Sequence, residues 1–135
     1  VYRDISKAGG GSGFSNTIPE NADFVEKIFM HPTILFRYSA IGFVGHRIHY
    51  DQPYSVKEEN YHDLIVHGPL QATYLLRAAE KLTGKTVKSF MHKVMAPVFA
   101  NSEYIIGAKQ NDDGSVSCWG ATESAGVTMQ AEAKF

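Results

Sequence analysis

The hydrophobic period of this chain changes at Gly84, and that change limits the folds open to it. Upstream, GPLQATYLLRAAEKLTG (residues 68–84) puts Ala72, Leu75, Leu76, Ala79 and Leu82 on one face and Arg77, Glu80 and Lys81 on the other. This is the repeat of a half-buried helix. Gly84 stands where a helix-ending glycine is expected. Downstream the period is two. VKSFMHKVM (87–95), SEYIIGAKQ (102–110), SVSCWGATES (115–124) and VTMQAEAKF (127–135) alternate as strands do. NDDG (111–114) is a hairpin signal, and Gly126 marks a second turn. Successive strands of this kind pair antiparallel, and their apolar face needs a cover. One long amphipathic helix is on offer, so the expected class is α+β, an antiparallel sheet wrapped around a single helix.

The segments before that helix are shorter. Residues 1–22 contain AGGGSG and little apolar content, and they read as a linker or flexible arm ahead of one domain at 23–135. ADFVEKIFM (22–30) has a strand-like mixture, with a short helix as the alternative. After Pro32, TILFRYSAIGF (33–43) carries Ile34, Leu35, Tyr38 and Ile41 at helical spacing and predicts a short buried helix. Asp51 before Gln52-Pro53 predicts a capped helix start. DLIVHG (63–68) is a short apolar run ending at Gly68-Pro69.

Length, charge and cysteine content narrow the function classes. The 135 residues suit one domain, and 44% hydrophobic content is enough for a core. The net charge is −1 with basic residues scattered, which argues against a nucleic-acid partner. No apolar run is long enough for a membrane span. VYRDISKAGGGSG lacks the apolar region of a signal peptide. With no initiator Met, the sequence is expected to begin inside a longer chain. Cys118 is the single cysteine, so no internal disulfide can form, and an intracellular setting is expected, cytoplasm and mitochondrion not being distinguished. Beside Trp119 in a strand, it is expected to be a buried, unreactive thiol.

The stretch FVGHRIHYD (43–51) carries the chemistry. His46 and His49 as H-x-x-H invite a metal reading, but there is no cysteine pair and no HExxH, and a zinc site needs three or four ligands. No metal is expected. YSAIGFVGHRIHYD followed by DLIVHGPLQATYLL resembles the MaoC-like dehydratases, the (R)-specific enoyl-thioester hydratases of the hot-dog fold. The likeness is strongest to double-hot-dog, mesaconyl-CoA hydratase-like members. It runs from about Tyr38 to the final AEAKF, with the two motifs about twenty residues apart. In double-hot-dog proteins this region is the second half, so a second hot-dog unit is expected as partner, either a missing N-terminal half or another copy. The resemblance puts His49 in the place of the catalytic histidine and Asp51 in that of the trailing aspartate. His46 and Arg47 replace an Asn-Pro pair. Val44 falls where the family has a catalytic aspartate, or an asparagine in the GHRIHYD subgroup, and valine can neither accept a proton nor orient water.

Hydration of an enoyl thioester needs a base for water, a proton for the α-carbon and stabilisation of the thioester oxygen. A histidine suits the first two tasks and a free amide at a helix N-terminus the third. His49 is the candidate base and acid. Gly68 is the candidate oxyanion donor, against the plain alternative of a glycine that merely permits a tight turn. Pro69 cannot donate, which leaves Leu70 as the other nearby amide. Val44, Gly45, His46, Arg47, His67, Pro69 and Leu70 are expected to line the substrate site, with Arg47 either meeting a coenzyme A phosphate or standing as a surface cation. Phe36, Tyr38, Leu75 and Leu76 could line an acyl tunnel or be plain core. Asp51 is explained by capping. The expected substrate is an acyl thioester of coenzyme A or an acyl carrier, with no separate cofactor. Two alternatives stand beside the hydratase. A non-catalytic half would be kept for packing or acyl binding, and Val44 would then mark a decayed site. A thioesterase would want a carboxylate on or near the long helix, where GPLQATYLL offers Gln71 but no acid. Should Val44 leave a gap in a hydratase site, Ser39 or His46 is the polar side chain within reach.

Overall fold

The computed structural model describes residues 17–135. The expected arm at 1–22 therefore lies mostly outside the described residues. Strand β1 (Phe24–Phe29) is followed by helix α1 (Pro32–Ile41), a 3₁₀ turn (Arg47–His49), α2 (Gln52–Lys57) and the long α3 (Gly68–Thr83). Four strands complete the chain: β2 (Ser89–Val94), β3 (Glu103–Gln110), β4 (Val116–Thr122) and β5 (Gly126–Lys134). The strand reading of 22–30 prevails over the helical one, because β1 pairs with β3 from Phe24↔Ala108 to Phe29↔Glu103.

All four pairings are antiparallel, in the order β1-β3-β4-β5-β2. Alternation along β3 turns Tyr104, Ile106 and Ala108 inward. Their counterparts on β4 and β5 are Val116, Cys118, Met129 and Ala133, and all seven are buried against Leu75, Ala78 and Ala79 of α3. Full burial of each larger apolar side chain contributes roughly 1.5–3 kcal/mol. The sheet thus closes over α3 as its period-two strands and lone amphipathic helix require. At the end of α3, Gly84 takes φ 69° and its amide reaches Glu80 O at 2.8 Å. That left-handed turn strains any residue with a Cβ and releases the chain into the sheet.

The predicted buried helix at 33–43 is only half buried. Leu35 and Ser39 face inward, while Phe36 is 63% and Ile41 82% exposed. Its apolar spacing is real, but one flank has no cover among the described residues. Cys118 is 2% exposed, and burial pushes its thiol up to about 12, in keeping with an unreactive core cysteine. No helix among the described residues is long and apolar enough to cross a membrane.

Candidate functional site

The site forms where three short elements meet the start of α3. Asp51 caps α2, its Oδ1 accepting from the Tyr54 amide at 3.2 Å. Its Oδ2 accepts from Arg47 Nε (3.0 Å) and Nη2 (2.8 Å), and the Arg47 guanidinium lies 4.1 Å from the centre of the Tyr54 ring. The hydrogen-bonded Arg47 guanidinium holds the Asp51 carboxyl below its ordinary range, aided by the Tyr54 amide. This cluster braces the turn that presents Ile48 and His49 to the interior.

His49 is buried, and its Nδ1 lies 2.7 Å from the backbone carbonyl of Ile65. A carbonyl can only accept, so Nδ1 carries the proton in the neutral ring and Nε2 keeps its lone pair. Ile65 is itself fixed, its amide donating to Ile48 O at 2.9 Å and its backbone bridging to Phe99. Burial lowers the His49 pKa from its ordinary 6.5, and neighbouring His46 pushes the same way, against the Ile65 carbonyl. The ring is therefore a neutral base at pH 7, with a defined tautomer.

His67, the residue before α3, stacks on His49 with ring centres 3.8 Å apart and planes 16° from parallel. The Tyr38 ring lies 4.8 Å from it, tilted by 60°, and His46 approaches His49 edge-on at 5.7 Å. His67 makes no side-chain cap for α3; its Nε2 pairs instead with Ser39 Oγ at 2.7 Å. His67 is 2% exposed, and burial, with His49 beside it, lowers its pKa to about 4. Stability should follow. The unfolded chain takes up this proton near pH 6.5 and the folded chain near 4, so the folded state loses ground as pH falls through that window. The full contribution is present above 6.5, and the loss is complete below 4, at on the order of 3 kcal/mol. Urea unfolding at pH 7 and 4.5 should show this, and His67→Gln should flatten the dependence.

Gly68 follows His67 and opens α3. Its amide, like that of Leu70, has no intrahelical acceptor, and the helix dipole favours negative charge there. A tight turn does not account for the glycine. Its φ is not in the left-handed region, and a Cβ would meet only Val94 Cγ2, at 3.9 Å. Nothing within the described chain demands the missing side chain.

A cavity of about 330 Å³ opens beside this group, lined by Phe36, Ser39, Ala40, Phe43, Val44, Gly45 and Tyr50. Val44 and Ser39 share it, and the Val44 amide donates to Ser39 O at 2.9 Å. Tyr50 Oη holds the Gly45 carbonyl at 2.9 Å. The structure thus gathers His49, His67 and Gly68 around the start of α3, with Val44 and Gly45 at the adjoining cavity. His46 is exposed at the rim. Arg47 faces its carboxylate partner, and the Leu70 side chain lies in the core. Leu75 is core too, whereas Tyr38 touches the site through His67. The stacked histidines were not legible in sequence, since residues 49 and 67 meet only through the tertiary fold. Among the described residues, no three His, Cys, Asp or Glu side chains converge as a metal site. The first turn of α3 carries no acid, as a thioesterase would want.

A family model described as hydroxyacyl-thioester dehydratase type 2 matches residues 1–100. The chain belongs to this family. Among curated relatives, mesaconyl-C(4)-CoA hydratase of Chloroflexus aurantiacus is 43% identical over 82 residues, 61% of this chain and 29% of that one. The mitochondrial hydroxyacyl-thioester dehydratase type 2 of Schizosaccharomyces pombe is 38% identical over 73 residues, 52% and 24% of the two chains. The matched region thus spans less than a third of either relative. Among solved structures, the MaoC-like dehydratase from Phytophthora capsici matches with TM-score 0.73 and 21% identity over 94% of this chain and 47% of its own. The (R)-hydratase from A. caviae involved in PHA biosynthesis gives 0.68 and 16%, over 84% and 93%. These likenesses show the hot-dog fold, a five-stranded antiparallel sheet around α3, as the sequence led us to expect.

Proposed function

We propose that this member of the hydroxyacyl-thioester dehydratase type 2 family is the catalytic hot-dog unit of a hydratase. It would reversibly add water to an enoyl thioester carried on coenzyme A or an acyl carrier. The observation that carries this reading is the His49 imidazole, held in one tautomer by the Ile65 carbonyl beside the N-terminus of α3. His49 Nε2 takes a proton from water as the oxygen bonds to the β-carbon. The π electrons move through the α-carbon onto the thioester oxygen, which accepts from the Gly68 amide. The imidazolium then returns the proton to the α-carbon, and the base is restored. The thioester enters as substrate, and the reaction calls for no cofactor.

Val44 leaves the water without the aspartate or asparagine that the family pattern has at this position. Ser39, in the same cavity, is the polar group available to hold it. The apolar lining of that cavity is also what favours the second reading, a half kept for acyl binding. A second hot-dog unit is part of the proposal. Phe43 is 95% exposed and continues the bare flank of Phe36 and Ile41, while edge strand β2 leaves Met91 and Val94 uncovered. Exposed apolar edges of this kind call for a partner.

The test is the loss of enoyl absorbance on adding crotonyl-CoA, with the chain alone and with its second hot-dog unit present. Turnover that rises in Val44→Asp supports a hydratase slowed by its valine. No turnover in either folded protein favours the acyl-binding half. A separate expectation concerns Gly68→Ala. A residue better suited to helices at an unstrained, open position should leave stability within about 1 kcal/mol. The added methyl would stand where the thioester must approach, so kcat/KM should fall by roughly 10²-fold, the scale of one lost oxyanion donor.

A further inference from the structure

The unexplained feature of the site is His67. The proposed chemistry gives it no task, yet it is sealed, and among the described residues its Nδ1 is one of the few buried side-chain polar atoms without a partner. We propose that His67 is a positioning residue for His49: pinned by Ser39 through Nε2, its ring is the wall that sets the plane of the His49 imidazole. This deepens the hydratase reading and rests on it for its catalytic consequence, though not for its structural content.

Three observations carry the inference. The first is stacking geometry. Centres 3.8 Å apart and planes 16° from parallel mean that His49 cannot tilt toward α3 without displacing His67. The second is that His67 is held in place. Tyr38 packs against it with ring centres 4.8 Å apart, Ser39 holds its edge, and the backbone on either side is tied, with Val66 N donating to Val98 O and Gln71 N to His67 O. The third is the division of anchors. A single hydrogen bond to Ile65 fixes one edge of His49 but leaves the ring free to swing about it, and a flat sealed surface removes that freedom. Displacements on the order of 1 Å can cost 10²-fold in rate, so such a wall matters to a general base.

The electrostatics are compatible with the role. Among the described residues, the groups acting on the pair are His46 in the preceding turn, Tyr38 and Ser39 on α1 and the Ile65 carbonyl, and no carboxylate contributes to the shift of either ring. His67 stays neutral wherever His49 is to work, so it never competes for the proton. Nε2–H donation to Ser39 Oγ leaves Nδ1 as a bare lone pair, an easier orphan to bury than an unpaired N–H.

Long-range ¹H–¹⁵N spectra of the histidine rings test this between pH 3.5 and 8, on the parent chain, His67→Ala, His67→Gln and Ser39→Ala. In the parent, His49 should be the Nδ1–H tautomer and His67 the Nε2–H tautomer. In His67→Ala, the His49 midpoint should rise by at least about half a unit as water reaches the ring, with its tautomers mixed. His67→Gln keeps a flat group and an N–H for Ser39, and it should restore both. Ser39→Ala, a small change that tests the pin without removing the ring, should mix the His67 tautomers. With crotonyl-CoA, His67→Ala should lower kcat by about tenfold or more while KM moves less than about threefold, again with recovery in His67→Gln. An unchanged His49 midpoint and tautomer in folded His67→Ala would overturn the proposal, as would Ser39→Ala leaving His67 unaltered. If the parent turns over no enoyl thioester, the hydratase reading fails while the spectra still decide the role of His67.

Discussion

Replacing His49 with glutamine should lower enoyl-thioester hydration by about 10²- to 10⁴-fold, the range for loss of a general base, while the chain stays folded. Gln fills much of the space of the ring, but it has no lone pair basic enough to take a proton from water. The loss should therefore fall on kcat, with KM little changed. The pH profile gives an independent reading. His49 is neutral at pH 7 because burial depresses its pKa. The parent's kcat/KM should thus be flat around neutrality and fall only as pH drops below 6.5, whereas His49→Gln should lose that acid limb. A variant retaining full turnover, or retaining the acid limb, would move the base elsewhere, and His46 at the rim would be the next histidine to examine. The assay should be run with the proposed second hot-dog unit present as well as without it, because the matched region is under a third of each curated relative.

Much of this arrangement could be anticipated, and the limit has a physical cause. The switch of hydrophobic period at Gly84 foretold one helix and an antiparallel sheet because both repeats are local properties of the backbone. The Asp51 cap was legible for the same reason, since its partner is three residues away. The motif around His49 was legible by resemblance. The stack of His49 on His67 was not, nor was the Ser39 contact that spans 28 positions. Periodicity also misjudged α1. Ile41 and Phe36 are spaced like core residues, yet they remain bare, because apolar spacing says that a face wants cover without saying whether this chain or a partner provides it. Gly68 is the reverse case. The sequence left open a turn and a ligand approach, and the unstrained backbone with open space around it removes the first explanation.

Gly120→Ala should destabilise the chain by about 3 kcal/mol or more, at the upper end for overpacking a core. Gly120 lies on β4 opposite Met129 and Ile106, just before the register shift at Gly120/Ala121. A Cβ there would enter the space of the Tyr104 hydroxyl and ring. Tyr104 is 0% exposed under α3 and has nowhere to retreat. Either the ring leaves its rotamer or β4 moves away from β3, and the second would also disturb Thr128, whose hydroxyl donates to Gly120 O at 3.2 Å. In a domain of this size, 3 kcal/mol corresponds to a fall of roughly 10 °C in Tm. Steric origin predicts a specific rescue. In a Tyr104→Leu background, where the offending ring is gone, the same alanine should cost less than about 1 kcal/mol, so the two substitutions should couple strongly in a double-mutant cycle. Additive losses would instead mean that Gly120 is needed for the bend of β4. The effect should reach the site as well, because β3, β4 and β5 are the surface on which α3 rests, and α3 begins with the amide assigned to the oxyanion. A folded Gly120→Ala chain should therefore lose turnover while the local contacts of His49 and Ile65 remain intact.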